Sequence, residues 1–395
     1  MPFDTLQVIL KVSERCNLAC TYCYYFYAGD DTYAKRPPVM KESTAEEVAD
    51  FLNQGVRDLG ISRVLIAFHG GEPLLLKPER FRFFCDIFRR KLNHVQLGFQ
   101  VQTNAVLIND EWIATFQEYE VNVGISIDGG EQENDKFRIA NNGKGSYNEV
   151  VAGLRKVQAA TQGVRALSAP STISVINAAF DYRKIFKHLH EDLGVEQISF
   201  LFPDVQHDTG LPFNTPAERY GEILCQIFDA WIETGAQAKV RQIDRLLSFF
   251  QQINEVSIPS NSSGQGLGTQ IIVVQSDGEL SLDDSYMVAL EWRQSQKTPH
   301  VAQTSLETYL AQPVFADIDA YRAKLPSTCK SCCWSRVCRG GDLENRYSKL
   351  NGFDNPSVFC DGLKKFYTHV TKYLIANGYS RFEIERRLLG KGTAV

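Results

Sequence analysis

The chain has 395 residues, 44% of them hydrophobic and 23% charged, with a formal net charge of −5. That length supports a large core with an appended module, and the acidic balance excludes the concentrated Lys and Arg that nucleic-acid binding requires. No apolar stretch approaches the roughly 20 residues that cross a bilayer, and the N-terminus enters a strand pattern without a signal peptide, so a cytoplasmic protein with no membrane partner is expected.

Residues 6–12 read as a buried strand. They lead into Ser-Glu-Arg-Cys16-Asn-Leu-Ala-Cys20-Thr-Tyr22-Cys23, which sets three cysteines on a short loop at a strand's C-terminal end, where α/β barrels build active sites. Three thiolates hold three corners of a four-iron, four-sulfur cube and leave one iron open. Zinc or a reactive thiol cluster is the rival, although zinc ribbons favour paired C-x2-C knuckles. Ser43 and Glu46 form a capping-box pattern that opens a helix to about Val56. Strands over 63–68, 96–101, 122–127, 171–176 and 197–202 then alternate with helices over 78–92, 111–119, 146–160 and 182–189. Six strands alternating with helices predict parallel βαβ units. They are too few for an eight-fold barrel, so the expected class is α/β with an open partial (β/α)6 barrel. Residues 216–253 read as mostly amphipathic helix and 257–269 as a loop, whose Gly264-x-Gly266-x-Gly268 lacks the strand-to-helix context and lysine of a phosphate loop. Residues 270–275 and 279–282 around Ser276-Asp277-Gly278 predict a β-hairpin. The expected division is 1–205 for the barrel, 206–270 for a helical bridge and loop, and 271–395 for a cysteine-rich module with a C-terminal helix.

The second strand ends in His69-Gly70-Gly71-Glu72-Pro73. Glycines let backbone approach a ligand, and a carboxylate after them can pair with an ammonium group. C-x3-C-x2-C with Tyr22 before its last cysteine, followed by this motif, resembles the radical S-adenosylmethionine (radical SAM) enzymes. The resemblance implies that Cys16, Cys20 and Cys23 bind a [4Fe-4S] cluster whose free iron takes SAM. It also implies that Tyr22, Gly70, Gly71 and Glu72 belong to the cofactor site, with Glu72 on the methionine amino group. Gln102-Thr103-Asn104 and Ser126-Ile127-Asp128-Gly129 match family positions at the ends of the third and fourth strands. By the same resemblance Ser126 would contact ribose, Arg138 would pair with the SAM carboxylate, and Leu201 would lie beside adenine through its backbone. Read alone, Asn104 and Asp128 are equally turn and cap residues.

Ten cysteines are present, and Cys85 and Cys225, isolated in helical patterns, read as buried apolar residues. Metal binding is the better reading of the others than disulfides. Cys329-Lys-Ser-Cys332-Cys333-Trp-Ser-Arg-Val-Cys338 with Cys360 is similar to the SPASM module of radical SAM enzymes that modify peptides. That module usually ligates two auxiliary clusters. Here its C-x3-C step after Cys338 arrives at Asp342 and its G-x4-C step after Gly278 at Asp283. Cys329, Cys332, Cys338 and Cys360 remain, implying one auxiliary [4Fe-4S] cluster and two clusters in all. Zinc on the same four thiolates is the rival, and Cys333 could displace Cys332.

The text from Cys338 to Ser348 and from Asn351 to Cys360 looks like the Xye- and Grr-type maturases that build three-residue cyclophanes in ribosomal peptides. Asp284 follows the vanished cysteine, where related enzymes carry a proton-accepting aspartate; otherwise it reads as an exposed hairpin carboxylate. The resemblance implies a radical SAM oxidoreductase that takes a β-hydrogen from a ribosomal precursor peptide and forms a carbon–carbon crosslink to an aromatic ring. Flavodoxin or ferredoxin would be its reductant. Thioether formation or side-chain dehydrogenation is the alternative chemistry, and a non-catalytic iron–sulfur or zinc scaffold the alternative class. The chain starts at the first barrel strand with no winged-helix leader-binding domain ahead of it. Leader recognition is therefore expected in the 257–269 loop or the 216–253 helical segment.

Overall fold

Strand β1 (Thr5–Ser13) carries an apolar run in which Leu6, Val8, Leu10 and Val12 are all fully buried. The computed structural model describes residues 3–251 and 269–390. In chain order its other strands are β2 (Arg63–Gly70), β3 (Gln96–Thr103), β4 (Asn122–Ser126), β5 (Ser171–Val175), β6 (Gln197–Leu201), β7 (Lys239–Val240), β8 (Thr269–Val274) and β9 (Leu280–Ser281). The chain divides into two compact units, one from residues 1–174 and 266–316, the other from 175–265 and 317–395.

In the first unit β1 to β5 lie side by side in sequence order, each pair parallel. The helices Glu42–Leu59, Pro78–Lys91, Asp110–Tyr119 and Tyr147–Ala159 return the chain between them. Parallel strands need such crossovers, and their cover on both faces explains why β1 and β2 read as near-continuous apolar runs. The α/β class with a parallel sheet is therefore observed as the alternation predicts.

Three details differ from expectation. The first helix has Lys41 at its N-cap with no side-chain cap, so the Ser43/Glu46 capping box does not form. Entry is fixed instead by tertiary structure: Met40 is fully buried and its N–H donates to Val12 O at 3.0 Å. Second, the hairpin of β8 and β9 exists, but β8 also runs parallel to β1, with Val8 opposite Ile272. Ile272, Val273 and Val274 are all buried, as a strand covered on both faces requires. Residues 269–316 thus pack in the first unit, and 175–205 in the second, across the boundaries drawn at 205 and 270. Third, the 216–253 segment is two helices, Ala217–Glu233 and Arg241–Gln251, separated by β7. The break is made at Gly235 and Ala236, both with positive φ, and closed by Trp231 Nε1–H donating to Ala238 O at 2.7 Å.

The second unit pairs β6 with β7 and packs Ala217–Glu233 against Cys360–Ala376. Their backbones cross at Gly221 and Gly362, where a Cβ on Gly221 would sit 2.3 Å from Gly362 O. Only glycine permits that approach. The 257–269 loop, with its glycine spacing, lies outside the described residues except for Thr269, which begins β8.

Candidate functional site

Residues after β1 and β2 clamp together. Gly71 N–H donates to Ser13 O and Glu72 N–H to Arg15 O, both at 2.8 Å, tying the glycine loop to the chain entering Cys16. A Cβ on Gly70 would lie 2.2 Å from Ser13 O, and one on Gly71 2.4 Å from Arg15 O. These glycines are therefore required by backbone packing against the cysteine loop, a role their spacing alone did not reveal. Cys16, Cys20 and Cys23 are free thiols, and each is partly buried. Burial pushes Cys16 up to about 12 and Cys20 to about 11, and raises Cys23. Cys20 and Cys23 further disfavour a Cys16 thiolate, so the loop gathers three neutral thiols that become thiolates only when a metal supplies charge.

Glu72 is 1% exposed, and its carboxylate accepts from Leu74 N–H (3.0 Å), Thr103 Oγ1–H (2.7 Å) and Asn104 N–H (2.9 Å). Burial outweighs these bonds and pushes its pKa up to about 7. About four acceptor positions exist on a carboxylate, so room remains for one cationic donor. Asn104 also donates to Asn17 Oδ1 at 2.8 Å and accepts from Val106 N–H at 3.1 Å, so it is a turn residue that also braces the cysteine loop. Ser126 Oγ accepts from Gln102 Nε2 at 2.9 Å.

Arg138 is buried and forks onto Asp128, with Nε 2.9 Å from Oδ2 and Nη2 3.4 Å from Oδ1. Tyr22 O–H donates to the same Oδ2, and its ring lies 5.5 Å from the guanidinium. Arg138 thus already has a carboxylate partner within the chain. In the second unit, Leu201 ends β6 with its carbonyl accepting from Ile176 N–H at 2.8 Å.

Asp284 is not an exposed hairpin carboxylate. Its side chain is 12% exposed and ion-paired with Lys11, itself 0% exposed. Tyr24 O–H donates to its Oδ2 at 3.0 Å, and Arg293 Nη2 lies 3.7 Å from its Oδ1. Burial raises the Asp284 pKa, but the Lys11 and Arg293 charges outweigh it and hold the carboxyl below its ordinary value. Arg293 is shared with Asp30 at 3.6 Å. Tyr24 directly follows Cys23, so Asp284 is anchored to the cysteine loop although 260 residues separate it from that tyrosine. Lys11, Tyr24, His69, Asp30 and Arg293 escaped the sequence reading. Lys11 left a usable signal, since a lysine inside an otherwise apolar strand is buried only when paired.

In the second unit Cys329, Cys332, Cys338 and Cys360 line one cavity with Trp334 and Tyr367. Cys333 is exposed and does not line it. Asp342 is held by Arg245 Nη1 at 3.0 Å, while in the first unit Asp283 caps the turn that opens at Asp284 by accepting from Ser285 N–H at 3.0 Å. Among the described residues no three His, Cys, Asp or Glu side chains close to the spacing of a single-ion site. Cys85 is buried and Cys225 partly so. No helix among the described residues is long and apolar enough to cross a membrane.

Comparison with known proteins covers nearly the whole chain. The cysteine-type anaerobic sulfatase-maturating enzyme of Clostridium novyi is 26% identical over 372 residues, 92% of this chain and 94% of that protein. The serine-type enzyme of Bacteroides thetaiotaomicron is 25% identical over 396 residues, 93% and 90% of the two chains. The solved structure of native anSMEcpe with bound AdoMet shares the fold, with a TM-score of 0.78 at 22% identity over 94% of this chain and 99% of that one. Residues 10–169 match the Radical SAM superfamily. The matched segment carries the three-cysteine loop, the glycine loop and the Arg138–Asp128 pair.

Proposed function

We propose that this chain is a radical SAM enzyme that oxidises a side chain of a peptide, with SAM and [4Fe-4S] clusters as cofactors. The observation that carries the reading is one connected set of groups at the ends of β1 and β2: three partly buried thiols, a buried carboxylate open to a cation, and Asp284 tied to the thiol loop through Tyr24. The donor set fits the cofactors. Three thiols leave a cluster iron free, and Glu72, whose pKa burial has raised to about 7, gains by meeting an ammonium group.

Cys16, Cys20 and Cys23 would hold the cluster, and Glu72 the methionine amine, with Tyr22, Gly70, Gly71, Asn104, Ser126 and Arg138 framing the cofactor. When bound, the cofactors supply one-electron cleavage of SAM and hence hydrogen-abstracting power. Asp284 is ionised and oriented by Lys11 and Tyr24, so it can accept the proton that the oxidised peptide residue must lose. Cys329, Cys332, Cys338 and Cys360 would hold an auxiliary cluster. Flavodoxin or ferredoxin would bring the electron.

Within this class the product we favour is a carbon–carbon crosslink from a β-carbon to an aromatic ring of a ribosomal precursor peptide, on the resemblance of the Cys338 to Cys360 text to cyclophane maturases. A second reading, oxidation of a sulfatase cysteine or serine, is favoured by the sulfatase-maturating relatives that align over most of this chain. Mass spectrometry of a co-expressed precursor separates the two. Loss of two hydrogens, with a β-deuterium lost and the product inert to hydrazide, supports the crosslink; a hydrazide-reactive aldehyde supports the sulfatase type. An unchanged peptide with SAM cleavage intact would sink the peptide reading for that substrate.

A further inference from the structure

One hydrogen-bond donor at the head of the glycine loop has no acceptor among the described residues. His69 Nδ1 accepts from Gly70 N–H at 2.9 Å and lies 3.2 Å from Lys11 Nζ. An ammonium group only donates, and a ring nitrogen that accepts from two donors carries no proton. The proton of the neutral imidazole is therefore on Nε2. Burial and the Lys11 charge disfavour the imidazolium and push the His69 pKa down to about 3, against the opposing pull of Asp284.

The ring is locked as well as neutral. Lys11 is held on its other sides by Asp284 and by Tyr24 Oη at 3.4 Å, so turning the ring over would set Cδ2–H, which accepts nothing, against a fixed ammonium. The charged and titratable groups facing His69 are Lys11, Asp284 and, through Lys11, Tyr24; none of them accepts from Nε2–H. No other described residue accepts from it either, and His69 is only half-buried. A buried lysine thus sets an ionised acceptor, Asp284, and a neutral donor, His69 Nε2–H, on either side of itself at the ends of β1 and β2. A neutral donor beside a carboxylate suits an uncharged acceptor and disfavours an anion. In a peptide residue that loses a β-hydrogen, the backbone carbonyl is the uncharged acceptor near the reacting carbon that every residue carries, whatever heteroatom its side chain adds.

We propose that His69 is a positioning residue for the peptide: held as the Nε2–H tautomer by Gly70 and Lys11, it donates one hydrogen bond to a backbone carbonyl oxygen at the residue being oxidised. The inference rests on the peptide-modifying reading above. Gln and Asn substitutions separate the two ring nitrogens, since a Gln amide reaches the Nε2 position and an Asn amide only that of Nδ1. With the reconstituted enzyme and, as probes, Cp18Cys and Kp18Cys, the peptides bound in two solved structures of anSMEcpe, H69N and H69L should raise KM about tenfold, the loss of roughly one hydrogen bond, at nearly unchanged kcat, while H69Q stays within about threefold of wild type. A merely structural role would lower iron content and kcat together and would not be rescued by Gln alone. Equal KM values in all four proteins overturn the proposal. Nitrogen-15 spectra of histidine-labelled enzyme, with His69 assigned by its loss in H69Q, should show an unprotonated Nδ1 and a protonated Nε2 from about pH 6 to 8; a protonated Nδ1 in that range also overturns it. The spectra need no peptide. A wild-type chain that cleaves SAM but leaves both probes unmodified counts against the sulfatase type of the peptide reading, and the KM comparison is then made on the co-expressed precursor, while the tautomer stands or falls separately.

Discussion

Glu72 shows how far a single residue can be read. Its raised pKa means that the folded chain without SAM favours the protonated acid, so ionisation costs stability as pH rises from the ordinary 4.5 towards 7. A bound ammonium reverses that preference. SAM affinity should therefore increase as pH rises through about 5 to 7 and then level off; E72Q should bind at least about tenfold more weakly, with a flat profile, as equilibrium dialysis would measure. Lys11→Met leaves Asp284 buried with Arg293 alone, and should lower stability by about 3–5 kcal/mol in urea melts. Asp284→Asn should retain SAM cleavage while peptide product falls about a hundredfold or more, measured by single-turnover mass spectrometry. The motif spacing pointed to Glu72 because carboxylate and glycines are adjacent in sequence. It could not reveal that three protein donors already fill most of the carboxylate.

At the scale of elements, β8 and the glycine loop carry most of what the pattern reading did not foresee. The apolar run 271–274 was legible as a strand, yet its partner was not, because a strand covered on both faces looks alike whether it joins a hairpin or a parallel sheet. Its register with β1 brings Asp284, ten residues past the end of β8, back to Lys11. Ile272→Ala should cost about 2–5 kcal/mol, as expected for a buried large-to-small change. Gly71→Ala drives a Cβ to within 2.4 Å of Arg15 O, and should reduce iron retained by the first thiol set more than it reduces total helicity. Iron assay beside circular dichroism would distinguish these effects.

For the whole molecule, the decisive quantity is the number of metal sites. Two clusters require roughly eight irons per chain. Serine substitution of Cys329, Cys332, Cys338 and Cys360 together should leave about four and keep SAM cleavage, whereas alanine at Cys16, Cys20 and Cys23 should abolish cleavage. Zinc in the second unit, found by elemental analysis, would refute the auxiliary-cluster assignment and spare the first. The cavity already separates Cys332 from exposed Cys333 as a lining thiol, a choice that two adjacent cysteines in a sequence leave open.

The sequence by itself determined the α/β alternation, the three-cysteine loop and the Gly-Gly-Glu turn, because each depends on periodicity or on spacing within a few residues. Tertiary structure alone decided that Lys11 meets Asp284 across 273 residues, that Arg138 is engaged by Asp128, and that His69 keeps its proton on Nε2. Those outcomes turn on which charges share a buried space. Pairing energies there depend on distance and desolvation, and neither is written in the order of residues along a chain.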